Sequence, residues 1–334
     1  MSRIAILGGG SWGTGLAVAL GRSRRKHEIR IWAREASIAQ SIREHHENPV
    51  YLEGCELPSC VDASIDIQEV LHEAYIVIGA VPSAHAREVY ALAFPHASPD
   101  SVVVSATKGL EPATHLRMSE VIGQVFALRA VPRTAVLSGP SFALEVAHGE
   151  PTAVVLASHD RPLATFLQEE FSGPTFRLYT NDDVLGVELA GAAKNVVAIA
   201  AGACQGLGLG HNTLAALITR GLAEMSRLIV ALGGKPETLS GLAGLGDLVL
   251  TCTGTLSRNR HVGFELGRGR ALSEILGEMK MVAEGVGTTS ALLDLAHDHC
   301  IELPITEQVE SILRLGNSPQ NAIRAIMERP LKRE

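Results

Sequence analysis

Lys194 lies inside VLGVELAGAAKNVVAIAAGA (184–203), a stretch in which Glu188 is the other charged residue. An ammonium group buried without a partner costs several kcal/mol or loses its proton. Two readings stay open: the butyl stem covers apolar surface while the head snorkels to water, or the lysine is catalytic and its site sets its pKa. Lys108 in SATKG (105–109) and the Gly139-Pro140-Ser141 turn in SGPSFA (138–143) fall at predicted strand ends, where open parallel sheets hold ligands. Lys108 either projects toward a cofactor or is an exposed loop lysine. The turn can offer N–H and hydroxyl groups to a small polar substrate. Asp247 falls in a glycine-rich turn within GLAGLGDLVLTCT (241–253), and TLSRNRHVG (255–263) puts Ser257, Arg258 and Asn259 at a predicted helix start. Such a start is either a Ser-capped basic helix or a phosphate seat, in which N–H donors, the helix dipole and a guanidinium fork converge.

A second chemistry is written in LGGGSWGTGLAVAL (7–20), where Gly8, Gly10 and Gly13 make G-x-G-x-x-G between a predicted strand and a helix. The first glycine permits a tight turn, the second a close approach of backbone to a pyrophosphate, and the third close helix packing. That context predicts dinucleotide binding. Ribose specificity is read about twenty residues on, at the end of the second strand, and there Arg34 precedes Glu35. An arginine welcomes a 2′-phosphate, so NADP(H) is favoured over NAD(H), with NAD(H) still open.

The elements that must position these residues change character along the chain. RIAILGG (3–9), EIRIWAR (28–34), YIVIGAVP (75–82), SVVVSATKG (101–109), TAVLSGP (134–140) and TAVVLAS (152–158) alternate with helical patterns. Near-continuous Val/Ile runs of this kind predict a parallel sheet covered on both faces. After about residue 184 long helical spacings take over, as in NTLAALITRGLAEMSRLIVALG (212–233). The expected fold is an α/β Rossmann-type domain with a parallel sheet core over residues 1–183, followed by an all-α domain over 184–334. The 184–203 helix then begins the second domain, with Lys194 near an interdomain cleft.

Composition narrows the partners. At 334 residues and 46% apolar content the chain suits two globular domains. A net charge of -7, with short and balanced basic clusters such as RSRRK (22–26), disfavours nucleic acid and anionic membranes. The five cysteines (55, 60, 204, 252, 300) are scattered, as free thiols in a reducing compartment are. MSRIAILGGG runs straight into a strand, and the most apolar stretch is interrupted by Glu188 and Lys194. A cytoplasmic protein with no membrane span is expected. The thirteen histidines show no H-E-x-x-H, and the histidines of HDHC (297–300) fall on different helix faces, so no metal is expected.

Taken in order over nearly the whole chain, GGGSWGT, SATKGLE, LSGPSFALE, AGAAKNVVAIAAG, NTLAALITRGLAEMSRL, GLAGLGDLVLTCT and LSRNRHVG resemble the bacterial-type NAD(P)-dependent glycerol-3-phosphate dehydrogenases. The resemblance implies reduction of dihydroxyacetone phosphate to sn-glycerol 3-phosphate, which feeds glycerophospholipid synthesis. It places Ser11, Trp12, Arg34, Tyr51, Ala143, Val282 and Glu284 on cofactor-contacting positions. It places Lys108, Gly139, Ser141, Lys194, Asp247, Ser257, Arg258 and Asn259 on substrate-contacting ones, with Lys108 and Arg258 also nearing the cofactor. Dimers are common among such enzymes.

A ketone that receives hydride at C2 develops alkoxide charge, so its site needs a placed proton donor and nearby cationic groups. Lys194 and Lys108 are the candidates. Two close ammonium groups in a partly desolvated cleft lower one another's pKa from about 10.4 toward neutrality, and Asp247 would orient Lys194. A related reductase of 2-keto or 3-hydroxy acids would want a carboxylate clamp in place of the phosphate seat. A cofactor sensor without activity would have no use for a lysine in an apolar helix.

Overall fold

The computed structural model describes residues 2–127 and 132–331. It divides into two compact units, Met1–Glu188 and Leu189–Glu334.

The first unit is built on strands β1 (Ser2–Leu7), β2 (His27–Trp32), β3 (Glu47–Asn48), β4 (Leu52–Glu56), β5 (Val61–Ser64), β6 (Ile76–Gly79), β7 (Val102–Ser105), β8 (Arg133–Ser138), β9 (Thr152–Ala157) and β10 (Phe176–Asn181). Eight of them form one sheet in the order β10-β9-β8-β7-β6-β1-β2-β5, and β3 and β4 pair separately. From β5 to β8 every pairing is parallel. This is the expected doubly covered core: Ile76–Gly79 and Val102–Ser105 are buried at every position. Ile4, Ile6, Ile29, Ile31, Val102 and Val104 pack on one face, and Ala5, Leu7, Val77 and Val103 meet Tyr90 and Phe126 on the other. Each large aliphatic side chain so buried contributes about 1.5–3 kcal/mol.

The sheet departs from the expectation at one edge, where β9 runs antiparallel to β8 and β10 follows β9. Apolar runs encode burial but not direction, so TAVVLAS reads the same either way. Strands β5 and β10 and the β3–β4 pair were not expected either, because VDAS and FRLYTN are short and half polar.

Among the described residues of the second unit there is no strand, so it is helical as expected. Its longest helix, Val184–Gly206, starts in the first unit. By length and composition that helix could cross a membrane, but 89% of its most apolar window is buried inside the protein, as in a core helix. It packs against the helix Arg258–Gly267 through glycines on both sides. A Cβ at Gly202 or Gly206 would run into the carbonyl oxygens of Arg260 or Phe264, and one at Gly263 or Gly267 into those of Ile199 or Ala203. These four glycines let the two backbones touch.

Candidate active site

In the first unit the turn after β1 adopts the geometry that G-x-G-x-x-G requires. Gly8 has φ +125°, and a Cβ there would lie 2.8 Å from the Ala80 carbonyl oxygen. A Cβ on Gly13 would collide with the Gly8 carbonyl, so the helix Ser11–Gly21 can start only on a glycine at this contact. At Gly10, by contrast, an added Cβ would meet nothing within 4 Å. Gly10 is also the N-cap of that helix and brings no side chain to it. Open space before an N-terminus that no side chain caps is what a diphosphate needs, and the loop fits the dinucleotide.

Buried Asn48 fastens this loop. Its amide donates to the Gly9 carbonyl (2.9 Å) and to Thr14 Oγ1 (2.8 Å), while its Oδ1 accepts from the Tyr51 N–H (3.2 Å). Tyr51, expected near the cofactor, is thus tied to the glycine loop through a residue that the motif does not contain. Arg34 follows β2 with its side chain in solvent and pairs with Glu35 at 3.1 Å. Ala143 opens the helix Ala143–His148, which lies so close to Gly15 that a Cβ there would sit 2.9 Å from the Ala143 carbonyl.

Lys108 and the Gly139-Pro140-Ser141 turn do come together. Lys108 Nζ donates to the Gly139 carbonyl (2.7 Å) and to Ser141 Oγ (3.1 Å), and it lies 5.9 Å from the centre of the Trp12 ring. Trp12 itself donates from its indole N–H to the Ala106 carbonyl (3.0 Å), which joins the glycine loop to the end of β7. Lys108 is therefore held beside the glycine loop and is no free surface lysine.

In the second unit Lys194 is 5% exposed, which rules out snorkelling. Its Nζ donates to Asp247 Oδ1 (2.6 Å) and to Thr251 Oγ1 (2.8 Å), and Asp247 is 1% exposed. The glycine-rich turn expected around Asp247 is helical: Leu242–Gly246 forms one π-helical turn, and Asp247 opens the helix Asp247–Thr253. That places Thr251 one helical turn beyond Asp247, on the same face. Thr251 donates to the Asp247 carbonyl (2.6 Å), which aims its oxygen at the lysine. The spacing D-x-x-x-T in an apolar run was the available signal for it.

Ser257 caps Arg258–Gly267, its Oγ accepting from the Arg260 N–H at 3.2 Å. Asn259 links three helices: its amide donates to Asn195 Oδ1 (2.8 Å), and its Oδ1 accepts from the Gly285 N–H (2.9 Å). Asn195 adjoins Lys194, and Gly285 follows Glu284, the first residue of the helix Glu284–Asp298. The buried side chains of Ser257 and Asn259 thus order the helix start, while that of Arg258 remains accessible. Desolvation lowers the Arg258 pKa and the Glu284 carboxylate opposes it. With its side chain in contact with solvent the guanidinium keeps its charge. Val282 is exposed just before Glu284.

The expected residues therefore gather into two groups. Gly8, Gly10, Ser11, Trp12, Gly13, Arg34, Tyr51, Lys108, Gly139, Ser141 and Ala143 belong to the first unit, and Lys194, Asp247, Ser257, Arg258, Asn259, Val282 and Glu284 to the second. The sequence profile described as NAD-dependent glycerol-3-phosphate dehydrogenase N-terminus matches residues 3–164, and the corresponding C-terminus profile matches 183–324. The chain belongs to the NAD-dependent glycerol-3-phosphate dehydrogenase family.

Similarity to individual family members is high over whole chains. Glycerol-3-phosphate dehydrogenase [NAD(P)+] of Koribacter versatilis is 55% identical, covering 99% of this chain and 98% of the relative. The protein of the same name from Acidobacterium capsulatum is 53% identical, covering 99% of each. Among solved structures, the glycerol-3-phosphate dehydrogenase of Coxiella burnetii superposes with a TM-score of 0.92 at 42% identity, covering 98% of this chain and 99% of that one.

Proposed function

We propose that this dehydrogenase reduces dihydroxyacetone phosphate to sn-glycerol 3-phosphate, with residues 1–183 as the cofactor domain and 184–334 as the substrate domain. The observation that carries the reading is Lys194, buried yet bonded to Asp247 and Thr251. NAD(P)H, when bound, supplies a hydride to the substrate's C2. The chain's part is to give the C2 oxygen a proton as charge builds on it, and Lys194 Nζ is the donor. Asp247 and Thr251 fix the direction of that N–H. Arg258 holds the phosphate with the N-terminus of its helix, and Lys108 adds positive charge where the oxyanion forms. The product enters glycerophospholipid synthesis in the cytoplasm. Loss of reduced-nicotinamide absorbance when dihydroxyacetone phosphate is added, run side by side with NADPH and NADH, tests the reading. A cofactor that stays reduced in both overturns it.

The cofactor preference rests on Arg34, which is exposed at the end of β2 and free of any neighbour but Glu35 among the described ion pairs. NADPH should serve at least as well as NADH. Arg34→Ala should weaken NADPH by about 1.5 to 3 kcal/mol, the scale of a hydrogen bond to a charged group, and leave NADH nearly unchanged in a binding titration. Equal losses for both cofactors would refute the assignment.

Arg258→Lys tests the phosphate seat. A point charge cannot reproduce a two-pronged guanidinium contact, and one lost charge-assisted bond is worth about tenfold in affinity. KM for dihydroxyacetone phosphate should rise accordingly, and an unchanged KM sinks this role.

A further inference from the structure

We infer that the ion pair between Arg87 and Glu111 is a positioning device for Lys108. The inference rests on the reading of Lys108 given above. Lys108 leaves the end of β7 at the head of a segment, 106–117, that has no regular secondary structure apart from one bridge between Leu110 and Arg117. On its upstream side the backbone is fixed, because Thr107 Oγ1 donates to the Val81 carbonyl (2.6 Å) and Trp12 to that of Ala106. Downstream the next residue is Gly109, which has no side chain to stiffen the chain. The hold on that side has to come from Leu110 and Glu111.

Glu111 supplies it. Glu111 is 7% exposed, and its carboxylate accepts a two-pronged contact from Arg87, Nε at 2.7 Å and Nη2 at 2.8 Å, and a further bond from the Thr114 hydroxyl. Arg87 lies on the helix Ser83–Ala93, and its Nη2 also donates to Gln124 Oε1 (2.8 Å) on the helix Met118–Phe126. The segment is thereby clamped to two helices of the covering layer. Its own backbone closes over the clamp, the Glu111 N–H donating to the Leu116 carbonyl (2.9 Å) and the His115 N–H to that of Glu111 (2.8 Å). Arg87 holds the Glu111 carboxyl below its ordinary pKa. Without Arg87 a buried carboxylate would lose its counter-ion and move toward water. The backbone three residues from Lys108 would follow it, and Nζ would lose its aim at the Gly139 carbonyl and Ser141 Oγ.

A double-mutant cycle separates this role from a contribution to folding alone. The variants are Arg87→Met, Lys108→Ala and the pair, read by kcat/KM for dihydroxyacetone phosphate and by the Kd of NADPH. Lys108→Ala should lower kcat/KM by about 10²-fold or more, as loss of an oxyanion-stabilising group does. Arg87→Met should lower it about 10- to 100-fold in the native background, the scale of a small misplacement of a reacting group. In the Lys108→Ala background the same change should cost less than about twofold, since the group it positions is already gone. Equal losses in both backgrounds, or no loss in the native one, overturn the inference. A Lys108→Ala variant with native kcat/KM instead overturns the reading of Lys108, on the single variant alone. Should Arg87→Met fail to fold by circular dichroism, Glu111→Gln, which keeps the shape and an acceptor, takes its place with the same expected cycle.

Discussion

Lys194→Met is expected to lower kcat by about 10² to 10⁴, the range for loss of a placed acid–base group, with the Kd of NADPH unchanged. Methionine keeps the apolar stem in its packing and removes the charge and both bonds, to Asp247 and Thr251. The glycine loop and Asn48, proposed to seat the cofactor, contain none of these atoms. A variant retaining more than about a tenth of native kcat would make the lysine structural and end the mechanism. The same change is expected to cost stability. Asp247 would be left in the interior without its counter-ion, at a cost of about 3–5 kcal/mol. Lys194→Met combined with Asp247→Asn removes that charge and should recover most of the stability in urea unfolding while kcat stays low.

Gly263→Ala should cost about 3 kcal/mol, at the upper end for overpacking, and raise KM for dihydroxyacetone phosphate about tenfold. One methyl group suffices because it would occupy the place of the Ile199 carbonyl oxygen, a backbone atom that no rotamer change can move aside. The helix Arg258–Gly267 must back away from Val184–Gly206, and with it go Arg258 and the amide bond between Asn259 and Asn195. Urea unfolding and steady-state kinetics read the two effects, and native values in both would show that the backbones are not in contact. Gly287→Ala is the control: it lies within a helix with nothing near its Cβ, so alanine should be neutral or stabilising by up to about 1 kcal/mol.

How much of this was legible in the sequence depended on whether a residue's role is local. Gly8, Gly10 and Gly13 were readable because a strand, a turn and a helix start lie within a dozen residues and constrain one another. Lys194 was readable only as a question: periodicity placed it on an apolar helix, but Asp247 and Thr251 lie 53 and 57 residues away. Asn48 and Asn195 were invisible for the same reason, since each bonds to partners that only the fold brings near. The π-helical turn before Asp247 was hidden by its composition, because GLAGLG reads as a loop when its backbone hydrogen bonds are unknown.

The reversal at β8–β9 determines where the chain leaves the sheet. Strands β1, β2, β6, β7 and β8 all end at one rim, and the glycine loop, Arg34, Lys108 and the Gly139 turn sit on it. Because β9 and β10 run the other way, β10 ends at the opposite rim, and Val184 starts the long helix a few residues later. Had these two strands kept the common direction, the connecting segment would have emerged among the loops that carry the glycine motif, Lys108 and the Gly139 turn. Recognition and chain exit are thus assigned to different rims of one sheet: the glycine turn lies where the parallel strands end, and the long helix is reached from the other rim.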